Sequence, residues 1–332
     1  MAVKTAIMGA TGAVGAELLT LLEERNFPVG ELRVLASHRS AGKKLKFKGE
    51  DITVQELTHD SFEGIDLVLA SAGGSISREF APSAVKAGAI VVDNTSEFRM
   101  TEGVPLVVPE VNPEAIKEHK GIIANPNCST IIMVLPVFPI HKAFGVKRAV
   151  ISTYQAASGA GAKAMQELLD ETRAYLDNKP FERTVIPHPY AFNLFAHNSG
   201  MGDNGYCQEE TKMVKETQKM FCEPNFRVTA TCVRVPVLRA HSESLNLELE
   251  KDVSVEEVYE VLKAAEGVEI LEDRAANRWP MPLDATSKDP VFVGRVRKDI
   301  SQANTIEMWI TGDQIRKGAA LNAIQIAEKL FC

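Results

Sequence analysis

Hydrophobic and polar positions follow two different patterns along the chain. In the first third, short β-rich runs are separated by amphipathic stretches of helical length. The β-rich runs are KTAIMGA, ELRVLAS, DLVLASA, AIVVDNT and GIIANP, and the helical stretches are AVGAELLTLLEERN and ISREFAPSAVKAG. Because strand and helix alternate, this part of the chain predicts a parallel α/β sheet.

The pattern changes after Gly145. Longer alternating strands are predicted at KRAVISTYQ, FRVTATCVRV and SLNLELE, with helices grouped between them at AKAMQELLDETRAYL, EETKMVKETQKMF and SVEEVYEVLKAAEG. This indicates an α+β domain built on a more antiparallel sheet. The last segment, DQIRKGAALNAIQIAEKLF, predicts an amphipathic helix, and we expect it to pack on the first domain because no strand follows it.

The length of the chain agrees with two domains, since 332 residues exceed what one hydrophobic core usually organises. We predict a first domain of residues 1–127 and 313–332, and a second domain of residues 128–312. No long linker or repeat separates them, so we expect a tight boundary near residue 127.

Composition narrows the class of protein. Hydrophobic residues make up 45% of the chain and charged residues 24%, which is typical of soluble globular proteins. The N-terminal residues resemble neither a secretory signal nor a transit peptide, so the cytoplasm is the expected location. Five cysteines without paired spacing predict neither a disulfide framework nor a metal site. A net charge of −7 favours neither nucleic acid nor membrane as a partner.

A glycine-rich loop, GATGAVG, directly follows the first predicted strand and opens the first predicted helix. In this context Gly9, Gly12 and Gly15 would let the backbone approach a pyrophosphate at the helix N-terminus. The loop therefore favours a Rossmann-type dinucleotide-binding domain. The alternative is a plain turn between a strand and a helix.

The end of the second predicted strand bears on which dinucleotide is preferred. NAD sites usually place an acidic residue there, whereas this chain has Ser37, His38, Arg39 and Ser40. Arg39 could meet a 2′-phosphate with charge-assisted hydrogen bonds, so NADP is favoured. The alternative is a solvated polar loop.

Cys128 lies between a polar segment and a long apolar run. Pro126 and Asn127 predict that a helix begins at Cys128 or just after it. A thiol at this position would feel the positive end of the helix dipole, which favours the nucleophilic thiolate. The alternative is a buried structural cysteine, which fits Cys222 or Cys232 well, whereas Cys128 is surrounded by polar residues at the end of an element.

Two charged or titratable side chains share alternation parity with apolar residues. His241 has the parity of the leucines in SLNLELE, and Arg234 has that of the apolar residues before it, so both are predicted to point inward. An inward arginine should hold an anion, and an inward histidine could move protons for a thiol nucleophile. The alternative is a buried arginine–carboxylate pair and a satisfied core histidine, since Pro236 interrupts the strand.

Seven segments, in this order, together resemble the aspartate-semialdehyde dehydrogenase family. They are GATGAVG, NTSEFRM at 94–100, NPNCST at 125–130, QAASGAG at 155–161, EETKM at 209–213, RVPVLRAHSESL at 234–245 and ALNAIQIAE at 320–328. The segments span nearly the whole chain, and NPNC and RVPV-x-R-x-H are the specific ones.

The resemblance implies NADPH-dependent reductive dephosphorylation of L-aspartyl 4-phosphate to L-aspartate 4-semialdehyde and phosphate. This reaction serves lysine, threonine and methionine biosynthesis, including the diaminopimelate pathway. By the same match Cys128 is the nucleophile that forms a thioester, His241 is the general acid and base, and Gln155 orients the reacting groups. Members of the family form homodimers through their second domain. The second domain of this chain would therefore be the catalytic and dimerisation domain.

The resemblance also assigns binding residues. Arg234 would hold the substrate α-carboxylate and Glu209 the α-ammonium, while Arg99, Asn127 and Lys212 would bind phosphate. Without the resemblance, Glu209 and Lys212, three apart on one helix, would be read as an exposed salt bridge.

The remaining assignments concern the cofactor, NADP, and include no metal. The residues of the pyrophosphate loop are Gly9, Thr11, Gly12, Ala13, Val14 and Gly15. Ser37, Arg39 and Ser40 match the 2′-phosphate pocket, Ser158 and Gly159 are also expected at the cofactor, and Asn322 would reach the nicotinamide carboxamide.

Three other functions stay open. The sister enzyme N-acetyl-γ-glutamyl-phosphate reductase has an acetylated substrate amine, which would leave Glu209 without a charge to pair with. An NADP-linked aldehyde dehydrogenase that hydrolyses its thioester would need no phosphate site. A nucleotide-binding regulatory protein could use the same fold without turnover, although a nucleophile, a base and anion-binding residues are more than a sensor needs.

Overall fold

The computed structural model describes residues 2–332. The strands are β1 Val3–Met8, β2 Val29–Ala36, β3 Lys44–Phe47, β4 Glu50–Thr53, β5 Gln55–Glu56, β6 Leu67–Ala70, β7 Ile90–Asp93, β8 Ile122–Ala124, β9 Val146–Gln155, β10 Phe195–Ala196, β11 Arg227–Arg234, β12 His241–Leu249, β13 Val268–Ile270, β14 Val291–Lys298 and β15 Thr305–Gly312. The helices are α1 Ala13–Glu24, α2 Gly74–Lys86, α3 Cys128–Phe144, α4 Ala162–Leu176, α5 Gln208–Met220, α6 Val255–Lys263, α7 Pro282–Ala285 and α8 Leu321–Phe331.

The chain forms two compact units. The first unit runs to Asn127 and includes Ala319–Cys332, and the second unit is Cys128–Gly318. The first unit contains a six-stranded sheet in the order β5-β2-β1-β6-β7-β8, and every pairing in it is parallel. Strand β6 is fully buried and β7 nearly so, as expected for a parallel sheet covered by helices. The Rossmann-type architecture predicted for the N-terminal part is confirmed.

The C-terminal helix α8 belongs to the first unit. It contacts α1 and β7, and its buried face is formed mainly by Leu321, Ile324 and Ile326. This confirms the expectation that the last helix packs on the first domain. A π-helical turn, Arg316–Ala320, precedes it.

The chain returns to the first unit at Ala319 and not at residue 313 as predicted. Residues 313–318 stay with the second unit because Asp313 is anchored there. Its carboxylate accepts a hydrogen bond from Arg239 Nε at 2.6 Å and another from the backbone N–H of Ser287 at 2.6 Å. A buried carboxylate bonded in this way ties its segment to the donors.

The second unit is built on a seven-stranded sheet in the order β10-β11-β9-β12-β15-β14-β13. The central pairs β9–β12, β12–β15 and β15–β14 are antiparallel, whereas β11–β9 and β13–β14 are parallel. The predicted α+β domain on a more antiparallel sheet is therefore confirmed. Helix α3 packs against β9, β12, β14 and β15, so nearly its whole circumference is buried.

Helix α3 begins at Cys128, as predicted from the preceding proline and asparagine. Among the described residues, no helix has the combination of length and apolar character that crossing a membrane requires.

Candidate active site

Cys128 occupies the first position of the buried helix α3 in the second unit and is half-buried. Gly318 lies against it closely: a methyl group on Gly318 would be 2.9 Å from Cys128 Cβ. Any other residue at 318 would therefore push on the cysteine. The thiol is placed at a helix N-terminus, where the helix dipole stabilises negative charge.

Gln155, at the end of β9, is tied to the residue after this cysteine. Its Nε2 donates to Ser129 Oγ at 3.0 Å and to Thr153 Oγ1 at 3.3 Å, and the side chain is buried. Both amide hydrogens are thus directed to hydroxyl oxygens, which holds the amide in one orientation. The structure brings Gln155 to the first turn of the helix that carries Cys128.

His241 begins β12, beside the end of β9, and is fully buried as predicted. Its Nδ1 accepts the backbone N–H of Ala156 at 3.0 Å, whereas Nε2 has no hydrogen-bond partner among the described residues. Burial, aided by the charge of Arg234 and opposed by that of Glu209, lowers the pKa of His241 to about 3.

Arg234 ends β11 and is 6% exposed, so its predicted inward direction is confirmed. Its hydrogen-bond contacts with Asn198 and Ala156 are long: Nε lies 3.5 Å from Asn198 Oδ1, and Nη1 lies 3.4 Å from Ala156 O. A methyl group on Gly159 would lie 3.0 Å from His241 Nε2 and 3.2 Å from Arg234 Nη1. The guanidinium and the imidazole therefore converge on the backbone of one exposed glycine.

The surroundings of Arg234 include residues that sequence reasoning missed. Strand β10 pairs with β11 so that Phe195 lies opposite Arg234, and this brings His197 and Asn198 close to the guanidinium. Burial lowers the pKa of His197 to about 4, and the charge of Arg234 adds to the shift. Tyr190, whose hydroxyl is buried without a partner, has its pKa raised to about 12 by burial, against the opposing charge of Arg234. These residues lie in irregular chain without periodicity, so no sequence signal marked them.

Glu209 and Lys212 form the ion pair that their spacing on α5 predicts, with 3.1 Å between Oε2 and Nζ. The pair is not a surface salt bridge, because the side chain of Glu209 is only 8% exposed. The charge of Glu209 is felt at His197 and His241, so it belongs to the same electrostatic neighbourhood as Arg234.

Arg99 and Asn127, the other expected phosphate ligands, lie in the first unit and are both buried. The guanidinium of Arg99 donates to Asn125 O at 2.9 Å and to Asn94 O at 3.0 Å. These backbone contacts fix its position, and its charge opposes the rise that burial causes in the pKa of Asp93.

The glycine loop has the geometry of an anion site. Gly9 has a φ of +92°, and a methyl group there would lie 2.6 Å from Ser71 O, while one on Gly15 would lie 2.4 Å from Gly9 O. A methyl group on Gly12 would meet only Gly9 O, at 3.4 Å. No side chain caps α1 and no acidic residue lies in its first turn, so its N–H groups suit a pyrophosphate. Thr11 is exposed, and Ala13 and Val14 start the helix half-buried.

The residues after β2 also fit their expected ligand. Ser37 and Arg39 are exposed and Ser40 is half-buried in a short 3₁₀ turn. The nearest carboxylate on the neighbouring strand, that of Glu56, is bonded to His38 Nδ1 at 3.0 Å.

The remaining residues expected at the cofactor are buried apart from Gly159. Asn322 lies in the first unit, where its Nδ2 donates to Val107 O at 2.9 Å and to Asn125 Oδ1 at 2.6 Å. Ser158 lies in the second unit, where Gln314 Nε2 donates to its hydroxyl.

Glu243, two residues after His241 on the same face of β12, carries an unusual charge state. It is fully buried, neither carboxyl oxygen has a hydrogen-bond partner among the described residues, and burial raises its pKa well above the usual range. Glu243 is therefore a neutral carboxylic acid directly opposite Thr153, the residue that accepts from Gln155.

Glu243→Gln is expected to stabilise the protein at neutral pH. The folded state keeps this carboxyl protonated, but in the unfolded chain it ionises near pH 4.3, so the free energy of unfolding falls as pH rises above that point. The variant should match the wild type near pH 4 and gain up to about 1.4 kcal/mol per pH unit above it. Denaturant unfolding from pH 4 to pH 8 measures this, with Glu248→Gln on the half-exposed face as the control. A difference that does not depend on pH would mean that Glu243 is ionised.

The fold and the site define a nicotinamide dinucleotide-dependent oxidoreductase in which a Rossmann-type unit accompanies a unit bearing a cysteine at a helix N-terminus. Family models match both parts: the semialdehyde dehydrogenase NAD binding domain at residues 4–119 and the semialdehyde dehydrogenase dimerisation domain at residues 137–317. The chain belongs to the aspartate-semialdehyde dehydrogenase family.

Similar proteins span nearly the whole chain. The aspartate-semialdehyde dehydrogenase of Synechocystis is 56% identical over 99% of this chain and 97% of its own. The crystal structure of aspartate semialdehyde dehydrogenase II complexed with ASA from Vibrio cholerae is 45% identical, with a TM-score of 0.97 over 99% of this chain and 98% of that one. The aspartate semialdehyde dehydrogenase with NADP from Candida albicans is 28% identical, with a TM-score of 0.75 over 99% and 98% of the two chains.

Proposed function

We propose that this chain interconverts L-aspartyl 4-phosphate and L-aspartate 4-semialdehyde with NADP(H), through a thioester on Cys128. The observation that carries the proposal is the convergence of the buried guanidinium of Arg234 and the imidazole of His241 on Gly159, in the unit whose first residue is Cys128. The similarity to a Vibrio cholerae enzyme whose structure contains ASA supports the same substrate.

The thiolate of Cys128 is the nucleophile. It attacks the acyl phosphate carbon and releases phosphate, and a thioester remains on sulfur. A bound dinucleotide would supply the hydride that reduces this carbon. The resulting thiohemiacetal re-forms the C=O bond as sulfur leaves as thiolate, which releases the aldehyde. Gln155, held by Ser129 and Thr153, orients the reacting groups, and His241 acts at the carbonyl oxygen.

Charge decides how the substrate is held. Arg234 pairs with the α-carboxylate, because its donors make only long contacts within the protein. Glu209 pairs with the α-ammonium, for which a buried carboxylate is the complement. Arg99, Asn127 and Lys212 are proposed to bind phosphate, in keeping with the resemblance.

NADP is proposed as the cofactor. The loop from Gly9 to Gly15 would hold the pyrophosphate, with Thr11, Ala13 and Val14 lining it. Arg39, flanked by Ser37 and Ser40, would bind the 2′-phosphate, because β2 ends without an acidic residue. Ser158, Gly159 and Asn322 are proposed at the nicotinamide end.

The wider setting follows from the reaction. We place the chain in the biosynthesis of lysine, threonine and methionine, including the diaminopimelate pathway, as a cytoplasmic homodimer that pairs through its second unit. The match of that unit to a dimerisation domain supports the oligomer.

One assay tests the proposal against its alternatives. NADP⁺ reduction with L-aspartate semialdehyde is expected to require phosphate and to be faster than with NAD⁺. N-acetylglutamate semialdehyde is the matched control, and activity on it alone would move the function to the acetylated-substrate reductase. Activity without phosphate would indicate a hydrolysing aldehyde dehydrogenase. Binding of NADP without turnover of either aldehyde would favour the regulatory protein.

A further inference from the structure

Three consecutive residues, His197–Ser199, connect the two charged groups that are proposed to hold the substrate. Asn198 Oδ1 lies 3.5 Å from Arg234 Nε, and the hydroxyl of Ser199 accepts the backbone N–H of Glu209 at 3.1 Å. We call these three residues the bridging segment. Through neighbouring side chains it contacts both the arginine at the end of β11 and the glutamate at the start of α5.

A short chain of hydrogen bonds orders the bridging segment internally. Because the hydroxyl of Ser199 accepts from Glu209, its own proton is directed to His197 Nδ1, 3.0 Å away. The backbone N–H of Ser199 also reaches this ring nitrogen, at 3.2 Å. Nδ1 can accept because burial, aided by the charge of Arg234, lowers the pKa of His197 to about 4 and leaves the ring neutral. The hydroxyl is therefore held in one orientation.

The bridging segment is also fixed by its backbone at both ends. The N–H of His197 donates to Cys232 O at 2.9 Å, which continues the pairing of β10 with β11. Just after the segment, the N–H of Gln208 donates to Gly200 O at 2.8 Å. One end is thus tied to the strand that carries the arginine, and the other to the helix that carries the glutamate.

Two buried carboxylates of α4 hold the irregular chain that leads to β10. Glu167 accepts the backbone N–H groups of residues 184, 185 and 186 at 2.6, 2.8 and 2.7 Å. Glu171 accepts those of residues 190 and 191 at 2.9 and 3.1 Å. Hydrogen bonds to a carboxylate are stronger than those between neutral groups, so this chain is held in place without regular secondary structure.

We propose that Asn198 and Ser199 are positioning residues that fix the separation of Arg234 and Glu209, and so select a substrate with a carboxylate and an ammonium group on one carbon. The inference deepens the function proposed above and rests on it. Two charged groups held at a fixed separation lower the cost of ordering only for a ligand whose own charges match that separation. A ligand with one charge contacts one group and gains nothing from the bridge.

The first test removes each contact of the bridge and compares three aldehydes. Asn198 is exposed and Ser199 half-buried, so Asn198→Ala and Ser199→Ala are expected to fold. With L-aspartate semialdehyde the KM of each variant should rise about three- to ten-fold, the effect of one hydrogen bond, while kcat stays within about two-fold. Succinate semialdehyde lacks the ammonium group and 3-aminopropanal lacks the carboxylate, so neither variant should change the KM of these two aldehydes.

Matched variants control for the substitutions themselves. Ser199→Thr keeps the hydroxyl and should restore the wild-type KM. Asn193→Ala removes an exposed amide of the same irregular chain, one that donates to Pro189 O, and should change no KM. An equal rise for all three aldehydes would mean that the two residues only support the fold. A rise shared with one truncated aldehyde would mean that each residue acts on its own neighbour alone. Either result, or no rise at all, would overturn the proposal.

The second test needs no turnover, so it stands even if the proposed reaction is wrong. L-2-aminobutyrate carries both charges on one carbon and has no aldehyde, and butyrate lacks the ammonium group. Calorimetry should show that L-2-aminobutyrate binds at least about ten-fold more weakly to the variant with both Asn198→Ala and Ser199→Ala than to the wild type, and that butyrate binds equally to the two. Equal affinity of L-2-aminobutyrate for both proteins, or binding to neither, would overturn the inference. Weaker binding to the variant without phosphate-dependent turnover of L-aspartate semialdehyde would count against the proposed reaction alone.

Discussion

Cys128→Ser is expected to lower the kcat of aldehyde oxidation by about 10⁴-fold or more and to leave dinucleotide binding unchanged. The hydroxyl has nearly the same size and the same place at the start of α3, but it stays protonated at neutral pH where a thiolate is required. Because the dinucleotide residues of the glycine loop lie in the first unit, affinity for NADP should not change. Steady-state rates and a fluorescence titration of NADPH binding measure the two quantities.

Matched serine variants of other cysteines control for the loss of a thiol as such. Cys222→Ser removes an exposed thiol from the same unit and should leave kcat within about two-fold of the wild type, as is usual for a surface substitution. Cys232 is buried against the sulfur of Met213, and burial raises its pKa, so its thiol is not a nucleophile. A Cys128→Ser variant within about ten-fold of the wild type would contradict the thioester mechanism.

Arg234→Lys is expected to raise the KM for L-aspartate semialdehyde by about 30- to 150-fold with a much smaller change in kcat. Hydrogen bonds to charged groups contribute about 1.5–3 kcal/mol, and lysine cannot reproduce the bidentate geometry of a guanidinium. A loss of about 2–3 kcal/mol corresponds to that change in binding. The long contacts of Arg234 with Asn198 and Ala156 indicate that its donors are available to a ligand.

A truncated substrate shows whether the effect is specific to the carboxylate. With 3-aminopropanal, which keeps the amine and aldehyde but lacks the carboxylate, Arg234→Lys and the wild type should have similar KM values. Arg227→Lys, at the exposed start of the same strand, is the matched control and should leave the KM for both aldehydes unchanged. Equal penalties on both aldehydes would mean that Arg234 only supports the fold of the site.

Much of the site was predictable because local chemistry specified it. Pro126 and Asn127 are typical of a helix start, so the position of Cys128 at the beginning of α3 followed from neighbours in the chain. Alternation along two strands predicted that Arg234 and His241 point inward, and both are buried. The prediction held although Pro236 separates the strands, because each strand keeps its own alternation.

Other parts of the site depend on contacts between distant segments. Residue 313 was predicted to begin the return to the first domain, but Asp313 is held in the second unit by Arg239, 74 residues earlier in the chain. Asn198 and Tyr190 come to Arg234 only because the short strand β10 pairs with β11. A two-residue strand in irregular chain has no periodicity from which this pairing could be predicted.

The sequence by itself determined the Rossmann-type architecture, the helix start at Cys128 and the inward direction of Arg234 and His241, because each depends on periodicity or on immediate neighbours. The tertiary structure alone decided the protonation of the site. The tautomer of His241 depends on the N–H of Ala156, 85 residues away in the chain, and the neutral state of Glu243 depends on complete burial between sheet and helix. The charge state of a group depends on the solvent exposure and the hydrogen-bonding or charged partners that packing gives it. No local sequence pattern predicts these.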